Sequence, residues 1–251
     1  MRQELREISE AWPRYGYRMA WRKLRQRGRV VNRKRVQRLW RDEGLRVPQR
    51  SPKRRRAGDS MYPAKRLKAE QPNHVWALDF MFDSTSDRRP FKSLSMCDEF
   101  TRECIGDEIA RSIRAIDVER LLDGAAAERG FPEHIRMDNG PEFIADAIKA
   151  WSIRNGTATS YIDPGSPWQN PYVESFNSRA RDEVFAREVF DSVVEAKVIY
   201  GEWRAEYNTE RPHSSLGGMT PVQFFNAWCQ QNQSDQSKAL RSALTPRRRC
   251  A

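Results

Sequence analysis

Two stretches near the start of the chain repeat apolar residues at the three- and four-residue spacing of amphipathic helices. Within residues 14–47, the first pattern covers about 19–24 and the second about 36–40. Asn32 stands where the N-cap of the second helix is expected, and Gly44 stands where that helix is expected to stop. Two short helices joined by a tight turn favour a helix-turn-helix module, with a plain helical hairpin as the alternative.

Basic side chains crowd the start and the outer face of the second predicted helix. They are Arg33, Lys34, Arg35 and Arg38. In a helix-turn-helix this helix enters the major groove, so we expect these four residues to contact DNA. In a helical hairpin they would form a solvated basic face.

From residue 74 the pattern changes to short strands bounded by turn residues. Strands are predicted at 74–83, 91–98 and 103–110, then a helix at about 115–129, a strand at 134–138, a helix at 141–155 and a strand at 157–162. Further helices are predicted at about 170–183, 192–207 and 220–229. This order predicts an α/β fold in which helices flank a mixed sheet that begins as an antiparallel meander.

Composition divides the chain into four predicted regions. Residues 1–47 form the helix-turn-helix-like module, and residues 48–70, with three prolines and little periodicity, form a basic flexible linker. Residues 71–228 form the α/β core with its C-terminal helices. Residues 229–251, rich in Gln, Ser and Arg, form a tail that we expect to be disordered.

Charge is concentrated at one end of the chain. Residues 1–70 carry 23 Lys and Arg against 7 Asp and Glu, whereas residues 71–251 carry 22 against 27. A basic arm on a mildly acidic body predicts a polyanionic partner, and nucleic acid fits best. A membrane partner is disfavoured because no apolar run approaches 18 residues and no amphipathic stretch is rich in Trp, Phe and Leu beside its basic face.

The four cysteines form no C-x-x-C pair, and His74, His134 and His213 are scattered along the chain without metal-ligand spacing. The sequence therefore predicts buried or free thiols in a reducing cytoplasm. It argues against a zinc site and against a catalytic cysteine.

Three acidic residues occupy positions where an acid is costly or well placed for chemistry. Asp79 interrupts an apolar strand, Asp138 ends another, and Glu174 has apolar neighbours in a predicted helix. Each has a simpler explanation: an edge strand, a helix cap or a surface position. Taken together, with 35 residues between Asp138 and Glu174, they suggest convergence on one site.

Three longer motifs carry a family resemblance. The segments MDNGPEF (137–143), SPWQNPYVESFNSRARDE (166–183) and YNTERPHSSLGGMTP (207–221) resemble the transposases of bacterial insertion sequences of the IS-three family, relatives of retroviral integrases. The segment from GYR to NRKRVQRLWRDEGL resembles the helix-turn-helix region that precedes the core in that family. Departures are Pro171 and Ser178, where members often have Gly.

The resemblance implies a ribonuclease-H-like five-stranded sheet and a catalytic, metal-binding triad of Asp79, Asp138 and Glu174, followed seven residues later by Arg181. Two Mg²⁺ ions, with Mn²⁺ as a substitute, are expected to assist cleavage at the ends of the insertion element and strand transfer into target DNA. Asp79 would bridge both ions, whereas Asp138 and Glu174 would each hold one.

Further DNA contacts are expected around the triad. Arg181 and Asn177 would share a helix face with Glu174, and Asn139 would touch the DNA end. Arg181 as a surface charge and Asn139 as a helix cap remain alternatives. Asp98 is the rival acid at a strand end, and we expect it to be structural, supporting its loop through Thr101 or Arg102.

The alternative function is a non-catalytic DNA-binding regulator derived from a truncated transposase. A ribonuclease H acting on RNA–DNA hybrids would share the fold and metals but would leave the basic N-terminal module unexplained. Expected partners are DNA, further copies of the chain on DNA, and an upstream-frame fusion partner. The expected location is the bacterial cytoplasm, in association with the nucleoid.

Overall fold

The computed structural model describes residues 1–45, 47, 67–138, 140, 146–162 and 170–244, with side chains up to 233. The chain divides into two compact units. One comprises Met1–Lys68 with Ser178–Glu188, and the other comprises Ala69–Asn177 with Val189–Ala251. Within the described ranges, no helix is long and apolar enough to cross a membrane.

Three helices form the N-terminal part of the first unit: α1 (Arg2–Ala11), α2 (Tyr17–Gln26) and α3 (Arg33–Asp42). Their shared core consists of Leu5, Ile8, Ala20, Leu24, Val36, Leu39 and Trp40. The predicted caps are confirmed, because the Asn32 side chain accepts a hydrogen bond from Lys34 N at 2.8 Å and Gly44 has φ +70°. Helix α1 was not predicted, because Leu5 and Ile8 are too few apolar positions to mark a periodic face by themselves.

The second unit is built on a five-stranded sheet. Its strands are β1 (Val75–Ser84), β2 (Pro90–Asp98), β3 (Cys104–Ala110), β4 (His134–Met137) and β5 (Ala158–Tyr161), in the order β3-β2-β1-β4-β5. Strands β1, β2 and β3 pair antiparallel, whereas β4 pairs parallel with both β1 and β5. The predicted mixed sheet is therefore confirmed.

Helices flank this sheet: α4 (Ala115–Arg129), α5 (Asp146–Arg154), α6 (Pro171–Ala180), α7 (Val193–Thr209) and α8 (Pro221–Leu244). A π-helical turn, Arg181–Phe185, follows α6 directly. One core packs α4 and α5 onto the sheet through Trp76, Leu78, Leu94, Met96, Val118, Leu122, Ile135, Met137, Ile148 and Trp151. Alternate residues of β1 project to the opposite face, and Asp79 belongs to that second set.

Helix α8 is longer than its composition predicted. It continues to Leu244, through a Gln- and Ser-rich segment that was expected to be disordered from about residue 229. Gln, Lys, Arg, Ala and Leu all have good helix propensity, so a segment without an apolar face can still continue an anchored helix.

Helix α7 is tied to the sheet by hydrogen bonds between polar groups. The Asn208 side chain donates to the carbonyl of Cys104 and accepts from its N–H, both at 2.9 Å. Ser95 Oγ and Tyr200 Oη share a buried hydrogen bond of 2.8 Å. These bonds fix α7 against the face of the sheet that also carries Asp79.

Replacing Asn208 should lower stability without touching the core packing. Asn208→Ala leaves the buried N–H and C=O of Cys104 without their described partner, so we expect a loss of roughly 2–4 kcal/mol in the free energy of unfolding. Chemical denaturation measures it. Thr209→Ala, one residue along at an exposed position, should change stability by less than about 0.5 kcal/mol, and equal losses for both variants would contradict the anchoring role.

Candidate active site

Strand register aligns the two aspartates. Strand β1 pairs with β4 so that Val75 lies opposite His134 and Ala77 lies opposite Arg136. Asp79 and Asp138 each come two residues after the last of these pairs. Because side chains alternate along a strand and neighbouring strands lie about 4.8 Å apart, the two aspartates project from the same face at the same level of the sheet.

The loop after β4 fixes the carboxylate of Asp138. The N–H of Gly140 donates to Asp138 Oδ1 at 2.9 Å, a turn in which the acid caps its own following backbone. Asp138 is half-buried. The predicted DNA contact Asn139 lies outside the described residues.

Helix α6 brings Glu174 to Asp79. At the start of this helix, the buried Asn170 side chain donates to the carbonyl of Leu78 at 3.1 Å, and Glu174 N donates to Asn170 O at 3.3 Å. Burial first, and then the negative charge of Asp79, raise the pKa of Glu174 to about 7. The sequence offered no sign that Asn170 would anchor this helix.

Asn177 contacts Asp79 instead of facing solvent. Its Nδ2 donates to Asp79 Oδ2 at 2.8 Å, and the residue is only 5% exposed. Asn177 was predicted to share a helix face with Glu174, and this contact is consistent with that placement. The group that Asn177 contacts is the carboxylate of Asp79. Asn177 therefore orients Asp79, and its predicted contact with DNA stays a prediction.

A stacked pair supports the first turn of α6. The guanidinium of Arg102, in the turn between β2 and β3, lies 3.3 Å from the centroid of the Tyr172 ring. Arg102 has φ +66°, a left-handed conformation that is uncommon for residues other than glycine. The turn therefore presents a cation to the ring two residues before Glu174, a contact without any signal in the sequence.

Asp98 has a structural role. Its Oδ1 accepts from the N–H groups of Phe100 and Thr101 at 2.7 and 3.0 Å, and its Oδ2 accepts from Asn73 N at 2.7 Å. Burial raises the pKa of this carboxyl group, while the three N–H donors oppose the rise. The hypothesis that Asp98 supports its loop through Thr101 therefore agrees with the structure.

The donor set around Asp79 suits a hard divalent cation. Carboxylate and amide oxygens are the ligands that Mg²⁺ prefers. Within the described part of the chain, the buried Oδ1 atoms of Asn170 and Asn177 have no hydrogen-bond partner. The ligand atoms of Asp79, Asp138 and Glu174 do not all lie within 4.8 Å of one another, among the residues described. A pair of ions tolerates that spread, because ligands on its two sides need not touch.

The other predicted DNA-contacting residues are accessible. Arg181 is exposed and begins the π-helical turn after α6. On α3 the exposed residues include all four predicted contacts: Arg33, Lys34, Arg35 and Arg38. Three of these cations occupy the first turn of α3, where the helix macrodipole disfavours positive charge. A bound anion would offset that cost.

Most of the chain matches models of known protein families. Residues 69–167 match a family model described as "Integrase core domain", and residues 155–221 match a second model with the same description. Residues 1–54 match one described as "HTH-like domain".

Several relatives come from bacterial insertion elements. An IS476 protein of Xanthomonas euvesicatoria is 40% identical over 218 residues, covering 87% of this chain and 62% of the relative. An IS407 protein of Burkholderia multivorans is 37% identical over 218 residues, covering 87% and 78%. The chain thus spans less than two thirds of the first relative. The transposase InsK of IS150 from Escherichia coli is 28% identical over 222 residues, covering 85% and 78%.

Two solved structures share the fold. One is the HTLV-2 integrase catalytic core domain in complex with magnesium, with a TM-score of 0.50, 16% identity, and coverage of 62% of this chain and 97% of that one. The other is the simian T-cell lymphotropic virus intasome with a PP2A regulatory subunit, with a TM-score of 0.54, 14% identity, and coverage of 88% and 74%.

The pKa of Glu174 predicts how its replacement affects metal-free stability. Because the folded pKa is raised from 4.5 to about 7, ionisation of Glu174 costs stability as pH rises between those values. In EDTA, the free energy of unfolding of Glu174→Gln should exceed that of wild type by about 1 kcal/mol at pH 8, after allowance for solvent screening. At pH 4.5 the two free energies should be nearly equal. Denaturant unfolding at both pH values measures this.

The exposed Glu202 on α7 supplies the control for that comparison. The difference in free energy of unfolding between Glu202→Gln and wild type should be the same at both pH values. A Glu174→Gln effect of the same size at both pH values would contradict the burial and repulsion assigned to Glu174.

Proposed function

This chain belongs to the insertion-sequence transposases that carry an integrase core, and we propose that it cleaves DNA at the ends of its own insertion element and joins the freed ends to target DNA. In the first step, water attacks phosphorus, the bond from phosphorus to the 3′ oxygen breaks, and a 3′-hydroxyl is released. In the second step, that hydroxyl attacks a phosphodiester of the target, and a 3′ oxygen of the target leaves.

The observation that carries this proposal is the approach of Glu174 to Asp79. A strand and a helix hold two half-buried acids close enough for one to raise the pKa of the other. Such a pair is costly unless a cation or a proton offsets the charge. Acids with strongly shifted pKa values that are built into a fold in this way are candidates for chemistry.

Two Mg²⁺ ions, or Mn²⁺ in their place, are the proposed cofactor, and the HTLV-2 domain of the same fold is itself a magnesium complex. Asp79, Asp138 and Glu174 would hold these ions through their carboxylate oxygens. When bound, the ions would activate the attacking oxygen and offset the charge on the leaving oxygen.

The protein's own groups orient the carboxylates for that task. Asn177 binds one oxygen of Asp79, and the N–H of Gly140 binds one oxygen of Asp138. Glu174 must lose its proton to act as a ligand. Asn170 and the Arg102–Tyr172 stack hold the helix that carries Glu174, so the spacing of the acids depends on these three residues.

DNA recognition is proposed to divide between two surfaces. The N-terminal turn of α3 offers exposed cations to phosphates, as expected for a helix-turn-helix module in residues 1–47. Arg181 would meet a phosphate near the scissile bond. Most of the predicted basic linker, residues 48–70, lies outside the described residues.

Assembly and location follow from the proposed substrate. Two element ends must be paired for transposition, so we propose a homo-oligomer on DNA. We also propose an upstream-frame fusion partner. A bacterial cytoplasmic, nucleoid-associated location would give access to the element.

Cleavage of a labelled DNA that carries the element's own end tests the catalytic proposal. We expect magnesium-dependent release of a 3′-hydroxyl by wild type and a loss of at least about 1,000-fold for Glu174→Gln, because removal of a charged ligand abolishes cation placement. Glu202→Gln, the same change on an exposed surface, should keep wild-type activity.

Asp98→Asn is unsuitable as a control for this experiment. Its amide nitrogen in place of Oδ2 would point a donor at the N–H of Asn73.

If wild type binds the element end but does not cut it, alone or fused to the upstream frame, the regulator hypothesis replaces catalysis. Cleavage without dependence on end sequence would indicate a nuclease.

The salt dependence of DNA binding tests the role of α3. Each phosphate neutralised contributes about 0.9 to the slope of log K against log salt concentration. Arg33→Gln combined with Arg38→Gln should therefore reduce the slope by about 2 and weaken binding at low salt. Lys197→Gln, an exposed cation on α7, is the control. An unchanged slope in the α3 double variant would mean that Arg33 and Arg38 do not neutralise phosphates.

A further inference from the structure

A second group of side chains with metal-binding chemistry lies at the opposite ends of the strands that carry the aspartates. His74, Glu133 and His134 each offer one ligand atom, and these three atoms lie within 4.8 Å of one another. The two imidazole rings are 5.6 Å apart between centroids, and His74 Nε2 lies 3.8 Å from Glu133 Oε2. The histidines are 60 residues apart in the chain, so strand pairing alone makes them neighbours.

Backbone hydrogen bonds fix this group before any ion binds. His134 N donates to His74 O at 3.0 Å, and Glu133 N donates to Asn73 O at 2.9 Å. On the other side, Ala158 N donates to Glu133 O at 2.8 Å. Ligands on paired strands lose little conformational freedom on binding, which favours affinity.

Surrounding polar groups orient two of the side chains. Glu133 Oε1 accepts from Gln71 Nε2 at 2.5 Å, which leaves Oε2 on the His74 side. Glu70 N donates to His74 Nδ1 at 3.1 Å, so the neutral ring carries its proton on Nε2. A cation at Nε2 would move that proton to Nδ1, and the bond from Glu70 N would have to open.

We propose that His74, Glu133 and His134 bind one divalent transition-metal ion of the zinc class, with the fourth position taken by water. Two imidazoles and a carboxylate form a common zinc ligand set, whereas Mg²⁺ prefers oxygen alone. Zinc bonds of about 2.1 Å place tetrahedral donors about 3.4 Å apart. Closing from at most 4.8 Å takes little more than 1 Å of movement at the ends of the side chains.

The site is separate from the candidate active site. Asp79 lies five residues beyond His74, and Asp138 lies four beyond His134, so about 13 to 17 Å of strand separates the two groups. With Glu133 53% exposed and His74 15% exposed, an ion can enter from solvent. The bound ion would tie the start of β1 to the start of β4 and so stabilise the pair of strands that aligns the two aspartates.

Zinc binding by the full chain, purified without a histidine tag, tests the proposal. We expect saturable 1:1 binding by calorimetry in addition to a rise in melting temperature, and at least a tenfold loss of affinity in both His134→Ala and Glu133→Gln. Glu133 is exposed, so its variant should fold even if the histidine variant is unstable. Loss of the Glu70 to His74 hydrogen bond should appear as a zinc-dependent shift of the Glu70 amide in NMR spectra.

A crossed comparison separates this site from the magnesium site. Glu174→Gln should lose the stabilisation by Mg²⁺ and keep zinc binding. Glu133→Gln should keep the stabilisation by Mg²⁺ and bind zinc more weakly. Co²⁺ supplies a spectroscopic check, because tetrahedral nitrogen and oxygen ligands give visible d–d bands without a strong thiolate band. Zinc binding that survives both His134→Ala and Glu133→Gln, or a cobalt spectrum dominated by thiolate, would overturn the assignment.

Discussion

Burial of Glu174 beside the negative charge of Asp79 is the constraint around which the site is built. Two half-buried carboxylates destabilise a fold unless other contacts hold their elements in place. Here Asn170 binds the carbonyl beside Asp79, and Asn177 binds Asp79 itself, so both ends of one helical segment are fastened to strand β1. Hydrogen bonds of the same helical segment thus hold the two acids close together, and a proton or a cation would offset their charge.

The parallel pairing of β1 with β4 serves both ends of the sheet. At one end it aligns Asp79 with Asp138, and at the other it brings His74 beside His134. Between them, Arg136 forms a buried ion pair with Glu99 on the loop after β2. Removing one partner of such a pair lowers the stability of the fold, because it leaves the other charge buried and unpaired. A rigid strand pair of this kind can hold side chains near one another at both of its ends.

Local patterns were sufficient for most of the secondary structure. The alternating and helical periodicities predicted the five strands and the helices of the core, because each element has a buried face with its own repeat. Asn32 and Gly44 marked the bounds of α3 through the chemistry of caps. The patterns failed for α1, which has only two buried apolar residues, and for the end of α8, where polar residues with good helix propensity looked like a disordered tail.

By itself the sequence determined the family, the mixed sheet, and the choice of Asp79, Asp138 and Glu174 as candidates, since these depend on residue types and spacings along the chain. Tertiary structure alone decided that Asn177 serves Asp79, and that histidines judged too scattered for a metal come together across a strand pair. Register and the docking of a helix on a sheet are set by packing between distant segments. No local repeat in the sequence encodes those distances.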